Sequence, residues 1–298
     1  MLDAHLHVFL TVAEKRNFSR AAEFLNLTQP AISQQIQTLE EYYGAKLFER
    51  TNKRVELTQA GHVLVPYAQK IMETHHHALQ AVNDLTGQVT GKLTIGASLT
   101  IGEYILPKLL ANFSGNYPKV EPTVKIGNTE VIAEHMLSGT IDLGLIEGPI
   151  HNKHLHVVPF LEDEMLLIVP ANHMLNRYTE VEVDDVANET FLLREAGSGT
   201  RFAMEELLHD LSIQPKRVIQ LGSLQSIKEG VEAGLGISFL SKWTIQKEIQ
   251  LQSIHPVRIK GVRLKRQFSL LNRKGQFASR AVTEFMRVVQ ETKWEEEK

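Results

Sequence analysis

Cysteine is absent from the chain, which excludes a disulfide framework, a thiolate zinc site and a cysteine nucleophile, and gives no support to an oxidising compartment. No run approaches the roughly 20 consecutive apolar residues of a membrane-spanning helix. The opening MLDAHLHVFL carries an acidic residue and two histidines where a secretion signal has a basic stretch, so a cytoplasmic location and no membrane association are expected. Charge of one sign is lacking too: 32 Lys and Arg stand against 35 Asp and Glu, a net −3. Bulk attraction to nucleic acid is thereby excluded, and any DNA contact has to be local. No HExxH, GxSxG or Walker A motif occurs, and the GxG of GLGIS precedes a strand instead of following one. No enzyme activity, cofactor or metal is therefore expected.

What is present reads as a soluble globular chain. Its 298 residues, 43% hydrophobic and 22% charged, are enough for two or three domains with real cores.

The first sixty residues carry a helical signal. Leu2, Leu6, Phe9, Leu10 and Ala13 form one apolar stripe ending near Arg16. Asn17 and Ser19 offer N-caps for a short second helix that buries Ala21, Ala22 and Leu25. Thr28 caps a third, with Pro30 in its first turn and Gly44 at its stop. Ile32, Ile36, Leu39 and Tyr43 share its apolar face, while Pro30, Ser33, Gln34 and Gln37 share another. Two helices on a tight turn, the second bearing hydroxyl and amide groups, form the pattern of a helix-turn-helix; the same pattern also fits a plain helical hairpin. Uncharged donors suffice to contact base edges and phosphates. The next stretch favours the first reading, because Leu47, Phe48 and residues 49–57 read as two short strands around Thr51, Asn52 and Lys53. Such a wing gathers Arg50, Lys53 and Arg54 at its tip, suited to phosphate contact.

Thr58 can cap a long helix reaching about Leu85, with a bend at Pro66. Leu64, Ala68, Ile71, His75, Ala78, Val82 and Leu85 step by four and three, a coiled-coil seam that calls for a partner helix. His75, His76 and His77 point about 100° apart in a helix and cannot converge on one ion, so no metal site is expected there.

From Gly91 short apolar strand runs alternate with helices, through LTIGA, TVKIG and DLGLIEG, then EMLLIVP, TFLLREAG, RVIQLG and GISFLS, and last RQFSLLN. The alternation predicts a parallel α/β sheet in two similar lobes, with crossovers near Leu161 and Lys265. Ligands of open α/β sheets sit at strand carboxyl ends against helix N-termini. Ser98 with Thr100, Asn128 with Thr129, Ser198 with Thr200, and Ser223 with Gln225 and Ser226 stand at such junctions, and Arg201 in REAGSGTR suits an anion. Each hydroxyl can equally be an ordinary helix N-cap.

The run NFSRAAEFLNLTQPAISQQIQTLEEYYGAKLFERTNKRVELTQAG resembles the winged helix-turn-helix of LysR-family bacterial transcription regulators almost position for position. With the two-lobed half, which is similar to periplasmic binding proteins, the resemblance covers nearly the whole chain. It implies a winged helix-turn-helix in residues 1–58, a dimerising linker helix in 59–90 and an effector domain in 91–298. Lobe I would take about 91–160 and 266–298, and lobe II about 161–265. The resemblance implies a sequence-specific regulator, activator or repressor, with operator DNA, a small-molecule inducer and RNA polymerase as partners, assembled as a homodimer or homotetramer, and the residues around Arg201 make an anionic inducer the expectation. It assigns Gln29, Pro30, Ser33 and Gln34 to DNA contact and raises Ser98, Thr100 and Thr129 as effector contacts. Gln34 stands where many members carry arginine, which puts one DNA contact in doubt. A transporter's solute-binding component would share the two-lobed fold, but would need an export signal and would leave the first ninety residues without purpose.

Overall fold

The structure is a computed structural model, which describes residues 2–51, 54–84, 88–275 and 278–294. The chain divides into two compact units, Met1–Gln88 and Val89–Lys298.

In the first unit, α1 (Leu2–Lys15), α2 (Phe18–Leu25) and α3 (Gln29–Tyr43) precede strands β1 (Phe48–Thr51) and β2 (Arg54–Leu57) and the long helix α4 (Gln59–Asp84). Local chemistry sets these boundaries. Asn17 Oδ1 accepts from the Ser19 and Arg20 N–H groups, Thr28 Oγ1 from Ala31, and Gly44 closes α3 at φ 66°. Leu6, Phe9, Ala21, Ile32, Ile36 and Leu39 form the core, with Val8 and Val12 added from α1. The Phe48 ring lies 5.4 Å from that of Phe9 and 5.8 Å from that of Phe18, tying the wing's root to α1 and α2. Thr58 Oγ1 accepts from the Gly61 N–H at 3.0 Å and donates to the Lys46 carbonyl at 2.6 Å. A Cβ on Gly61 would stand 2.3 Å from the Leu47 carbonyl oxygen, so α4 begins against the wing root only because that residue is glycine.

Two readings of apolar spacing need correction here. Tyr43 is 38% exposed and stacks edge-on with Tyr42, outside the α3 core stripe. Leu64 and Ala68 belong to the unit's own core, because α1 packs along α4 and covers that face. Among the described residues, the large apolar side chains that α4 leaves exposed are Val63, Tyr67, Ile71, Leu79 and Val82. Periodicity fixes a stripe's spacing but cannot say which neighbour covers it.

In the second unit, β3 (Gly91–Ser98), α5 (Leu106–Asn116), β4 (Val120–Gly127), α6 (Thr129–Leu137) and β5 (Leu143–Glu147) form a β-α-β lobe, with a π-helical turn, Ile101–Ile105, after β3. Strand β6 (Leu155–Pro170) leads out to β7 (Glu180–Val181), α7 (Val183–Val186), β8 (Thr190–Leu193), α8 (Gly199–Asp210), β9 (Arg217–Gln220), α9 (Leu224–Glu232), β10 (Ser238–Ser241), α10 (Gln246–Gln250) and β11 (Ile254–Ile259). Strand β12 (Leu264–Arg273) returns to α11 (Arg280–Glu291). The sheet order is β4-β3-β5-β12-β6-β11-β7, with β10 also on β6 and β8-β9 apart.

The sheet is mixed, where the strand-helix alternation predicts a parallel one. β3 is parallel to β4 and β5, and β8 to β9, but β12 runs antiparallel to β5 and β6, and β10 and β11 antiparallel to β6. Long strands β6 and β12 are the crossovers, pairing from Arg273↔Leu155 to Leu264↔Met165. Their register shifts between Phe268 and Ser269, leaving Phe160 as the extra residue beside Pro159, which a bulge tolerates. One core gathers Leu93, Ile95, Leu109, Phe113, Phe268 and Phe285; another gathers Met165, Leu167, Phe191, Met204, Phe239 and Val257. The two lobes thus meet where β6 and β12 pass between them.

Candidate DNA interface and interlobe site

On α3, Gln29, Pro30, Gln34 and Gln37 are exposed and Ser33 is half-buried, one turn along from Gln29. Gln29 Nε2 donates to Ser33 Oγ at 2.9 Å, and Gln37 Nε2 to Glu41 Oε1 at 2.9 Å. The helix therefore presents a neutral face already partly ordered by its own i,i+4 bonds. In the wing, Arg50 pairs with Val55 and Thr51 with Arg54 across the hairpin. Lys53 and the side chains of Arg50, Thr51 and Arg54 lie outside the described residues.

Glu40, absent from the sequence-based candidates, ties α3 to the root of the wing. Its side chain is 6% exposed and accepts from the N–H groups of Leu47 at 2.9 Å and Phe48 at 3.4 Å, and from Lys46 Nζ at 2.6 Å. Burial works to raise its pKa, but Lys46 and the two amides outweigh it and hold the carboxyl below its ordinary value.

Between the lobes of the second unit stands a buried polar cluster centred on Arg266, 6% exposed. Nε donates to Asp163 Oδ2 at 2.8 Å, Nη1 to Thr200 Oγ1 at 2.9 Å, and Nη2 to Thr100 Oγ1 at 3.2 Å. Nη2 also lies 3.0 Å from Glu147 Oε2. Ser241 Oγ donates to the other Asp163 oxygen at 2.7 Å. Burial dominates Asp163 and pushes its carboxyl up, against the pull of Arg266 and Ser241. Thr129 Oγ1 donates to the Glu147 carbonyl at 2.7 Å, and Ser98, fully buried, holds a hydroxyl with no hydrogen-bond partner among the described residues.

The structure thus joins Thr100, Thr129 and Thr200 through Arg266 and Glu147. Ser198 is the α8 N-cap, accepting from the Arg201 N–H at 3.4 Å, and lines a cavity of about 350 Å³ with Thr129, Gly197 and Arg201. Arg201 is committed within lobe II, to Glu205 Oε1 at 2.7 Å and Gln220 Oε1 at 2.8 Å. Ser223 shares a capping box with Ser226 and makes no bond to the Arg266 cluster among the described residues. Asn128 Nδ2 reaches across to the Ala196 carbonyl at 3.2 Å, and Lys228 Nζ reaches Tyr104 Oη at 3.1 Å as well as Glu248 at 2.6 Å.

Sequence reasoning missed Arg266, Asp163 and Glu147. Arg266 opens the strand run RQFSLLN and Glu147 stands next to last in DLGLIEG, at a strand's carboxyl end, so both could have been marked by position. Asp163 had no comparable signal.

The family model described as the bacterial regulatory helix-turn-helix protein, lysR family, matches residues 4–62, and that of the LysR substrate binding domain matches residues 86–294. The HTH-type transcriptional regulator CysL of Bacillus subtilis is 36% identical over 267 residues, covering 90% of this chain and 89% of CysL. The regulatory domain of CcmR from Synechocystis PCC6803, solved in complex with 2-PG, is 30% identical, covering 67% of this chain and 96% of that one, with a TM-score of 0.63. Full-length CbnR solved with its target DNA is 24% identical, covers 97% of this chain and 99% of its own, and shares the fold at a TM-score of 0.73. A helix-turn-helix unit joined to a two-lobed α/β effector domain, matched along both halves, makes this chain a member of the LysR family of DNA-binding transcriptional regulators, and not an enzyme.

Proposed function

We propose that the protein switches transcription in response to a small acidic metabolite bound between the lobes of its effector domain. The observation that carries this reading is the buried guanidinium of Arg266, bonded at once to Thr100 and Thr200 from opposite lobes. A small oxyanion there could draw on Arg266, on the hydroxyls of Ser98, Thr100, Thr129 and Thr200, and on the α8 N-terminus capped by Ser198. Arg201 and Ser223 contribute less, since their polar atoms are engaged elsewhere. The 2-PG bound by the similar CcmR domain supports an acidic ligand class.

On the DNA side, Gln29, Pro30, Ser33, Gln34 and Gln37 would read the major groove, and Arg50, Thr51, Lys53 and Arg54 would grip flanking phosphates. Residues 1–58 would form the reading head and 59–90 the pairing helix. In residues 91–298, lobe I would hold 91–160 and 266–298, and lobe II 161–265. Two pairs would form a tetramer on a pseudo-palindromic operator, and a change in lobe closure would alter head spacing and polymerase recruitment.

Calorimetric titration with a screened ligand, with and without operator DNA, tests the coupling. Operator has to change ligand affinity by the factor by which ligand changes operator affinity. Identical ligand affinity in both conditions overturns the mechanism.

A further inference from the structure

Glu147 closes β5, and its carboxylate lies where α8 begins. A Cβ on Gly199 would stand 1.9 Å from the Glu147 carbonyl oxygen and 2.9 Å from Glu147 Cγ, so glycine alone admits the helix's first residue against the backbone of Glu147, with its side chain alongside. Thr200 Oγ1, in the same first turn, is 3.5 Å from Oε1, and Arg266 Nη2 is 3.0 Å from Oε2. Glu147 is 2% exposed. An oxyanion at a helix N-terminus, beside a guanidinium and a threonine hydroxyl, is the arrangement by which a protein holds an acidic ligand. Here the oxyanion belongs to the chain itself.

The two acids of the cluster are held differently. Asp163 receives directed bonds of 2.8 Å from Arg266 Nε and 2.7 Å from Ser241. Glu147 Oε2 has no aligned donor despite its closeness to Arg266, and the Thr200 contact to Oε1 is long. A buried carboxylate with so little hydrogen bonding has lost its hydration without full replacement. Of the two, Glu147 is the one that can be exchanged at small cost, and Asp163 is the one that keeps Arg266 in place.

We propose that Glu147 is an internal surrogate for the effector's acidic group, occupying the anion position between the lobes until a ligand oxyanion displaces it. This rests on the interlobe cluster being the effector site. Ligand affinity is then an exchange against Glu147, and ligands without an oxyanion cannot compete. Two carboxylates facing one guanidinium also leave the cluster with an excess negative charge that any anion has to overcome.

The test is calorimetric titration of the intact protein with 2-PG and with inorganic phosphate, at fixed pH and ionic strength. Glu147→Gln, which keeps the shape and removes the competing charge, is expected to bind at least about tenfold more tightly than the parent, a gain of about 1.4 kcal/mol. Glu147→Asp, one methylene shorter, is expected to bind more tightly than the parent as well and serves if the glutamine variant does not fold. Arg266→Lys is expected to lose binding. If the folded Glu147 variants bind both probes no more tightly than the parent while Arg266→Lys loses binding, the surrogate role is overturned and the cleft remains the anion site. If neither probe binds the parent or any variant, the acidic-effector reading falls together with the surrogate role.

Discussion

Removing the Glu40 carboxylate should loosen the wing while leaving α3 intact. In Glu40→Ala the Leu47 N–H, bonded at 2.9 Å, and the Phe48 N–H, at 3.4 Å, lose their acceptor in a buried setting. Each buried unsatisfied donor costs about 1 to 3 kcal/mol, and discounting the longer bond gives about 3 kcal/mol in all. Lys46 adds little, because its side chain is 76% exposed and such pairs contribute about 1 kcal/mol or less. Amide hydrogen exchange on the intact protein reads the effect locally. The Leu47 and Phe48 amides should exchange about 100-fold faster in the alanine variant and about fivefold faster in Glu40→Gln, which keeps an acceptor but loses its charge. Exchange within threefold of the parent in Glu40→Ala would refute the anchoring argument. The pH dependence follows from the same bonds. A carboxyl held below its ordinary 4.5 contributes stability that is complete above that value and is lost as pH falls through the lower folded value. The parent and Glu40→Ala should therefore converge in acid and differ most at neutral pH.

Ile36→Ala should destabilise the first unit by about 2 to 5 kcal/mol through a cavity at a fully buried position, read by urea unfolding. Ser33→Ala and Gln34→Ala should relax sequence preference in footprinting, whereas Arg50→Ala and Arg54→Ala should weaken binding to all duplexes and lower its salt slope; unchanged footprints for the first pair would remove that face from base contact. Tyr67→Asp, on the exposed face of α4, should shift the sedimentation of the intact protein towards monomer, while Ala68→Asp should unfold the first unit; a dimer unaffected by Tyr67→Asp would mean that another face carries the contact. Lys228→Met leaves the half-buried Glu248, 13% exposed, without its 2.6 Å partner and should cost about 3 kcal/mol in the unfolding of the effector domain, against about 1 kcal/mol for Tyr104→Phe.

Local rules were legible at the level of helices, caps and hairpins. Asn17, Thr28 and Gly44 end or begin their helices for reasons carried within four residues, and Phe48–Thr51 pairs with Arg54–Leu57, close by in the chain. Strands β3, β5, β8 and β10 were visible as short apolar runs. The first half of β6 was not, because Pro159 reads as a break until β12 supplies a bulge around it, and β11 was hidden by Pro256. At the interlobe centre the threonines stood at recognisable strand ends.

Periodicities, capping residues and the family-specific run from Asn17 to Gly61 are written in chain order, since these depend on neighbours within a turn or a hairpin. Three-dimensional packing sets the rest: α1 covers Leu64 and Ala68 and leaves Val63, Tyr67 and Ile71 exposed, and the crossover strands run antiparallel. It alone brings Arg266 to Thr100, 166 positions away, and to Glu147 and Thr200. A buried charge is tolerable only where partners from distant segments converge on it, and chain order carries no record of that convergence.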